Sequence, residues 1–161
     1  MATKRFRRQT LKTRNPRRLC VPETWTLGYA GRSPEDFLKI LKDYGIERVV
    51  DIRELPLTEV PGFSQGPLSA FLAKNGVAYD LRRELGAPQN ARDRFKEDGD
   101  YEAFCETYLI ALPRKAVEAL AHTCSGQRCL ILSEDRSPDR SLRRPLGARL
   151  ERHGFRVKHI L

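Results

Sequence analysis

The stretch Ile46-Glu-Arg-Val-Val-Asp-Ile-Arg-Glu-Leu-Pro56 narrows the choice of fold more than any other part of this chain. Ile46, Val49, Val50 and Ile52 make a short run rich in β-branched residues. Such a run reads as a strand buried on both faces of a parallel sheet. It ends on Asp51 and Arg53, opposite charges two positions apart. Side chains alternate along a strand, so i and i+2 project to the same side. Pro56 lacks an N–H and stops further pairing. Open α/β sheets present their ligand groups at the carboxyl ends of the strands. Asp51 and Arg53 are therefore read as site residues, against the competing reading of an ion pair that only ties down a loop.

The neighbouring segments extend this strand into a layered domain. Residues 24–29 form a first strand, with Gly28 and Gly31 flanking Tyr29 and allowing a ligand close to the backbone. Ser33 fits an N-cap, Pro34 the first helical position, and Glu35 and Asp36 the first turn. Phe37, Leu38, Ile40, Leu41 and Tyr44 follow at helical spacing, and Gly45 sits where a helix terminates. Strand, helix and strand in succession build a parallel sheet. A Pro- and Gly-rich loop over 57–67 reads as a flap beside a site. A short helix over 67–75, stopped by Gly76, leads to a third strand over 77–81 carrying Tyr79.

The polar segment 82–100 reads as surface. Residues 101–121 form a helix broken or kinked at Pro113, with Tyr101, Phe104, Tyr108 and Leu112 as a core stripe. Residues 129–133 form a fourth strand, running into Ser133-Glu-Asp-Arg136. A helix over 141–153, closed by Gly154, precedes a last strand over 155–160. The expectation is an α/β fold: a single three-layer, Rossmann-like domain with a mainly parallel sheet of about five strands, plus a basic amino-terminal arm.

Charge divides the 161 residues unevenly. Residues 1–20 carry eight Lys or Arg and no acid, a net +8. Residues 21–127 sum to −4 and residues 128–161 to +5, within a total of +9. The division expected is a disordered basic arm over 1–22 and the α/β domain over 23–161. A basic arm attracts nucleic acid through its phosphates, in a sequence-blind, salt-sensitive way. A solubilising tail or a transit peptide would share that composition.

No apolar run approaches the roughly 20 residues of a membrane helix, and the amino-terminal stretch lacks a signal-peptide core. Cys20, Cys105, Cys124 and Cys129 are not in C-x-x-C spacing, and only three histidines accompany them. A zinc site is not expected, and scattered free cysteines suit a cytoplasmic protein. There is no P-loop and no G-x-G-x-x-G, so neither device for holding a nucleotide cofactor is present, and no cofactor is expected.

In a parallel sheet the carboxyl ends of all strands lie along one edge. That places Tyr29, Arg32, Asp51, Arg53, Ser133, Glu134 and Asp135 around one crevice, with Tyr79 nearby. Arg143 begins the following helix, where a helix amino terminus and a guanidinium favour an anion.

These segments in this order resemble a widespread prokaryotic family, domain of unknown function 488. The resemblance rests on Thr26-Leu-Gly-Tyr-Ala-Gly-Arg-Ser33 with Phe37 and Leu41, and on Val50-Asp-Ile-Arg53 with Pro56. Phe63, Leu68, Gly76-Val-Ala-Tyr79 and Glu84-Leu-Gly86 continue it. Cys129 to Asp135 and Phe155-Arg-Val-Lys-His-Ile160 close it. It implies a compact α/β fold with a cleft and supplies no substrate. Family members often carry Cys-Ala-Glu at the end of the fourth strand and Cys-His-Arg shortly after. Here those positions read Ser133-Glu134-Asp135 and Ser141-Leu142-Arg143. Thiol or metal chemistry through that set is absent, and Asp135 is left to take the glutamate's place. Thr58-Glu59 replaces a Ser-Arg and removes one basic contact.

Two functions compete. In the first, the chain is a cofactor-independent hydrolase or lyase acting on nucleic acid or a nucleotide-like, phosphate-bearing substrate. Asp51 or Asp135 serves as general base or transition-state stabiliser. Arg53 and Arg143 hold phosphate, and Tyr29 or Tyr79 stacks or donates a hydrogen bond. Neutralising Asp51 or Asp135 would then abolish turnover and leave stability nearly intact. In the second, the chain is a non-catalytic protein that grips DNA or RNA through residues 1–20. Oligomeric state stays open.

Overall fold

The computed structural model describes residues 21–161. Five parallel strands form one sheet in the order β3-β2-β4-β1-β5. They are β1 (Glu23–Gly28), β2 (Arg48–Asp51), β3 (Ala78–Leu81), β4 (Cys129–Ser133) and β5 (Arg156–Ile160). Six α-helices connect them: α1 (Pro34–Asp43), α2 (Gln65–Lys74), α3 (Gln89–Asp98), α4 (Tyr101–Ala111), α5 (Arg114–Ser125) and α6 (Arg143–Arg152). The expected α/β fold with helices on both faces is what the chain adopts. The proposed arm over 1–22 falls almost wholly outside the described residues.

Period-two alternation splits the core in two. Trp25, Leu27, Val49, Leu130 and Leu132 face α1 and α2, packing with Phe37, Leu41, Leu68 and Leu72. Val50, Ile52, Cys129 and Ile131 face the other way, against Phe104, Tyr108, Val117, Leu120, Leu146 and Leu150 of α4, α5 and α6. β4 is buried along its whole length, as its unbroken apolar run predicts.

Local rules set most helix boundaries. The Ser33 hydroxyl caps α1 by accepting from Asp36 N–H at 3.1 Å, with Pro34 at the first helical position. Gly45 follows the helix at φ 61°, a conformation that favours glycine. Pro113 breaks the helix expected over 101–121 into α4 and α5, because it cannot continue the backbone ladder.

Two expectations need correcting. The segment expected to be plain surface contains α3, bracketed by Pro88 and by Gly99 at φ 68°. The supposed flap over 57–67 is anchored. Phe63 is fully buried and stacks on Tyr29 at 4.6 Å between ring centroids, and Ser64 Oγ is tied to the backbone of Thr58.

Chain direction creates the crevice. β2 exits towards α2 on one face, and its neighbour β4 exits towards α6 on the other. Adjacent strands whose connections leave to opposite faces open a gap at their carboxyl ends. β1 and β4 also exit to opposite faces, yet that gap is closed. Tyr29 N–H donates to Ser133 O at 3.2 Å and Ala30 N–H to Glu134 O at 3.0 Å. A Cβ on Gly28 would lie 1.8 Å from the Asp135 carbonyl oxygen. The absent side chain thus admits the protein's own backbone where the sequence suggested a ligand.

Candidate functional site: a cleft between two strand ends

β2 delivers Asp51 and Arg53 to the carboxyl edge, and their side chains meet at once. Arg53 Nε donates to Asp51 Oδ1 at 2.9 Å and Nη2 to Oδ2 at 2.5 Å. The Arg53 backbone N–H adds a bond to Oδ1 at 3.1 Å, and the Tyr79 hydroxyl donates to Oδ2 at 2.6 Å. Asp51 is fully buried, with both oxygens engaged. Arg53 is 8% exposed, and its guanidinium lies 4.9 Å from the Tyr29 ring centroid. Burial acts to lower the Arg53 pKa, but the hydrogen bonds and charge of Asp51 outweigh it and raise it. Burial, helped by Asp51, also raises the Tyr79 phenol. One donor is left over: Arg53 Nη1 is buried and has no hydrogen-bond partner.

β4 delivers a differently built set. Ser133 is buried at the strand end and faces Ser141 at 3.5 Å between hydroxyl oxygens. These are the two positions at which the resemblance expects cysteine. Glu134 and Asp135 follow on an exposed bend. Arg143 is fully buried beneath it. Its Nη2 donates to the carbonyls of Asp135 at 3.0 Å and Arg136 at 2.7 Å, and its Nη1 to Thr26 Oγ1 and Ile160 O. Burial, reinforced by Arg32 and opposed by Asp135, brings the Arg143 pKa down to about 10. Asp135 moves upward, through partial burial of its carboxyl group and then the neighbouring charge of Glu134. A carboxyl shifted upward is better suited to exchanging protons near neutrality.

Between these strand ends lies a small recess of about 110 Å³, lined by Arg53, Glu54, Ser133, Glu134 and Asp135 among others. It adjoins a wider cleft of about 410 Å³ that also reaches Glu134 and Asp135. Phe95, Phe104 and Leu142 give that cleft an apolar wall, and Lys96 and Arg140 give it charge. Its volume falls within the usual range for small-molecule sites. A larger hollow of about 820 Å³ lies at the opposite, amino-terminal edge of the sheet around Trp25, Arg128 and Arg156. None of the strand-end acids reaches it.

The nine residues singled out from the sequence therefore separate into a group of four, a group of three and two that stand apart. Arg53, Ser133, Glu134 and Asp135 share the cleft. Asp51, Tyr79 and Tyr29 stand behind Arg53 and hold it. Arg143 does not line the cleft: its terminal nitrogens bond backbone carbonyls and Thr26, and its Nε is buried with no hydrogen-bond partner. Arg32 lies on the β1 side, its Nε donating to Gly28 O at 3.3 Å.

Sequence reasoning missed Arg92 and Phe95, because α3 itself was missed, and Arg140, which lies beyond the β4 bend. The available signal was the Pro88 and Gly99 bracket with Ala91 and Phe95 four residues apart. Among the described residues, no group of three or more His, Cys, Asp or Glu is placed to hold a metal ion, and no helix is long and apolar enough to cross a membrane.

The family model described as domain of unknown function DUF488 matches residues 33–150. The match spans α1 to α6 and leaves β1 and β5 outside it. No curated protein and no solved structure matches the chain.

Proposed function

This chain belongs to the DUF488 family, a domain of unknown function, and we propose that it is a cofactor-independent hydrolase or lyase acting on a nucleotide-like, phosphate-bearing substrate in the cleft between β2 and β4. One observation carries the reading. A cleft-lining arginine with an unused donor, Arg53, shares a recess with Asp135, whose carboxyl is shifted upward. Anion binding and proton transfer are the two operations such a pair performs. Arg53 takes the phosphate, and Asp51 with Tyr79 aims Arg53 without itself reacting. Asp135 accepts the proton of the attacking group and returns it to the departing oxygen. The wall of Phe95, Phe104 and Leu142 receives the flat, less polar part of the substrate.

The test is a panel of nucleoside monophosphates, cyclic nucleotides and simple phosphate esters, with products followed by chromatography and phosphate release. The expected result is turnover of at least one compound by the native chain. Asp135→Asn should lose it with no fall in melting temperature. Unchanged turnover in Asp135→Asn would remove this assignment.

A second reading is favoured by the eight Lys and Arg and no acid within residues 1–20: a non-catalytic protein that binds DNA or RNA through them. Removing residues 1–20 should then abolish retention on either polymer at low salt. Retention unchanged by that removal would reject it.

A further inference from the structure

We propose that Arg92 is a second anion-binding residue of the cleft, held ready by Glu54, and that a phosphate-bearing ligand displaces Glu54 from it. The inference rests on the functional reading above and adds to it a residue on an element the sequence did not reveal. Arg92 lies on α3, away from the strand ends. It lines both the inner recess and the wider cleft, and so stands where the two join. Its Nη2 donates to Glu54 Oε2, just past β2, and to Gln89 Oε1 one turn back on α3.

Neither partner of the Arg92–Glu54 pair is deeply buried. The side chains are 28% and 39% exposed, so water reaches both. An ion pair in such a setting contributes little to stability, and exchange of one carboxylate for another anion costs correspondingly little. Contrast the Asp51–Arg53 pair, at 0% and 7% side-chain exposure, where exchange would strand a buried charge. A guanidinium offers several donors in one plane, suited to the oxygens of a phosphate. Glu54 occupies Arg92 Nη2 through Oε2 in the free protein and so acts as a competitor for the same guanidinium. With Arg53 on the inner side and Arg92 at the junction, an incoming phosphate meets two cations, while Phe95 and Phe104 lie outward for the remainder of the ligand.

Isothermal titration with inorganic phosphate and with adenosine 5′-monophosphate, at low salt, tests this on the full chain. Glu54→Gln keeps the side-chain shape and removes the competing charge. It should bind both probes several-fold more tightly than the native chain. Arg92→Gln should weaken both by about tenfold, the scale of one lost charge-assisted hydrogen bond. The gain from Glu54→Gln should vanish in the Glu54→Gln/Arg92→Gln double variant, since a general rise in positive potential would persist there. If Glu54→Gln binds no more tightly while Arg53→Gln still loses binding, the Arg92 assignment falls and the functional reading stands. A gain that survives in the double variant likewise overturns it. If neither the native chain nor Glu54→Gln binds either probe, both fall together.

Discussion

At the end of β2 an arginine is committed to a carboxylate; at the end of β4 an arginine is committed to the carbonyls of a bend. The consequences are opposite. Arg53 closes on Asp51, and the acid it engages is buried with both oxygens engaged. Arg143 instead pins the backbone of Asp135 and Arg136, which leaves the Asp135 carboxyl at the cleft with its pKa raised. A charged strand end keeps its acid unpaired when its cation supports the loop instead of the carboxylate. One sheet edge here holds an example of each arrangement, on opposite sides of the same crevice.

Breaking the first arrangement should have the largest effect. Asp51→Asn leaves the Arg53 guanidinium buried against a neutral amide. Loss of about 3–5 kcal/mol is expected, as when one partner of a buried pair is removed, and urea unfolding measures it. This reverses the expectation that Asp51 could be neutralised with stability nearly intact. A loss below about 1 kcal/mol would mean that the pair is not the anchor described here.

Breaking the second arrangement should cost less in stability and show locally. Arg143→Lys keeps the charge but cannot span the carbonyls of Asp135 and Arg136 together with Thr26. About 1–3 kcal/mol should be lost, with faster amide hydrogen exchange around residues 133–136 than elsewhere in the sheet. Uniform acceleration across the domain would argue against a local pin.

Two smaller changes sharpen the contrast. Tyr79→Phe removes one of the donors to Asp51 and should cost about 1.5 kcal/mol, read from the shift in urea midpoint at unchanged slope. For Asp135 the sign is the reverse of a salt-bridged acid. Its folded pKa is raised, so its favourable contribution is complete below the unfolded value near 3.9 and is lost as pH climbs through the folded value. Asp135→Asn should therefore match the native chain in stability at low pH and slightly exceed it at pH 7, by about 0.3 kcal/mol for so accessible a group. A native chain that gains stability relative to Asp135→Asn between pH 4 and 7 would contradict the raised pKa.

Strand positions were legible because a run such as Cys129-Leu-Ile-Leu has only one good environment, the middle of a sheet with both faces covered. The first helix was legible from Ser33, Pro34 and Gly45, each of which acts through its own backbone. α3 was not. Gln89–Asp98 offers mainly charged and polar positions, and its slender apolar stripe of Ala91 and Phe95 is too short to separate a helix from a solvated loop. Missing α3 concealed the outer wall of the cleft, and with it Arg92 and the aromatic surface. That Arg53, Ser133, Glu134 and Asp135 lie together was legible, since groups at the strands' carboxyl ends share one edge.

Taken alone, the order of apolar runs and caps in this sequence determined a parallel α/β sheet, because periodicity, capping and proline effects operate within a few residues. Membership of the set at the carboxyl edge was determined in the same way. Only the tertiary structure decided that Arg53 closes on Asp51 while Arg143 meets backbone carbonyls instead of an acid. Arg53 stands two positions after Asp51, a pair already open in the sequence, whereas Arg143 follows Asp135 by eight positions, on the next α-helix. Their remaining partners are the non-local part. Arg53 finds Asp51 and Tyr79 within its own half of the sheet, whereas Arg143 is held under the β4 bend by that bend's own carbonyls, the Thr26 hydroxyl of β1 and the Ile160 carbonyl of β5. Burial and partner choice are properties of contacts between distant segments, and those contacts decide which carboxylate stays available for chemistry.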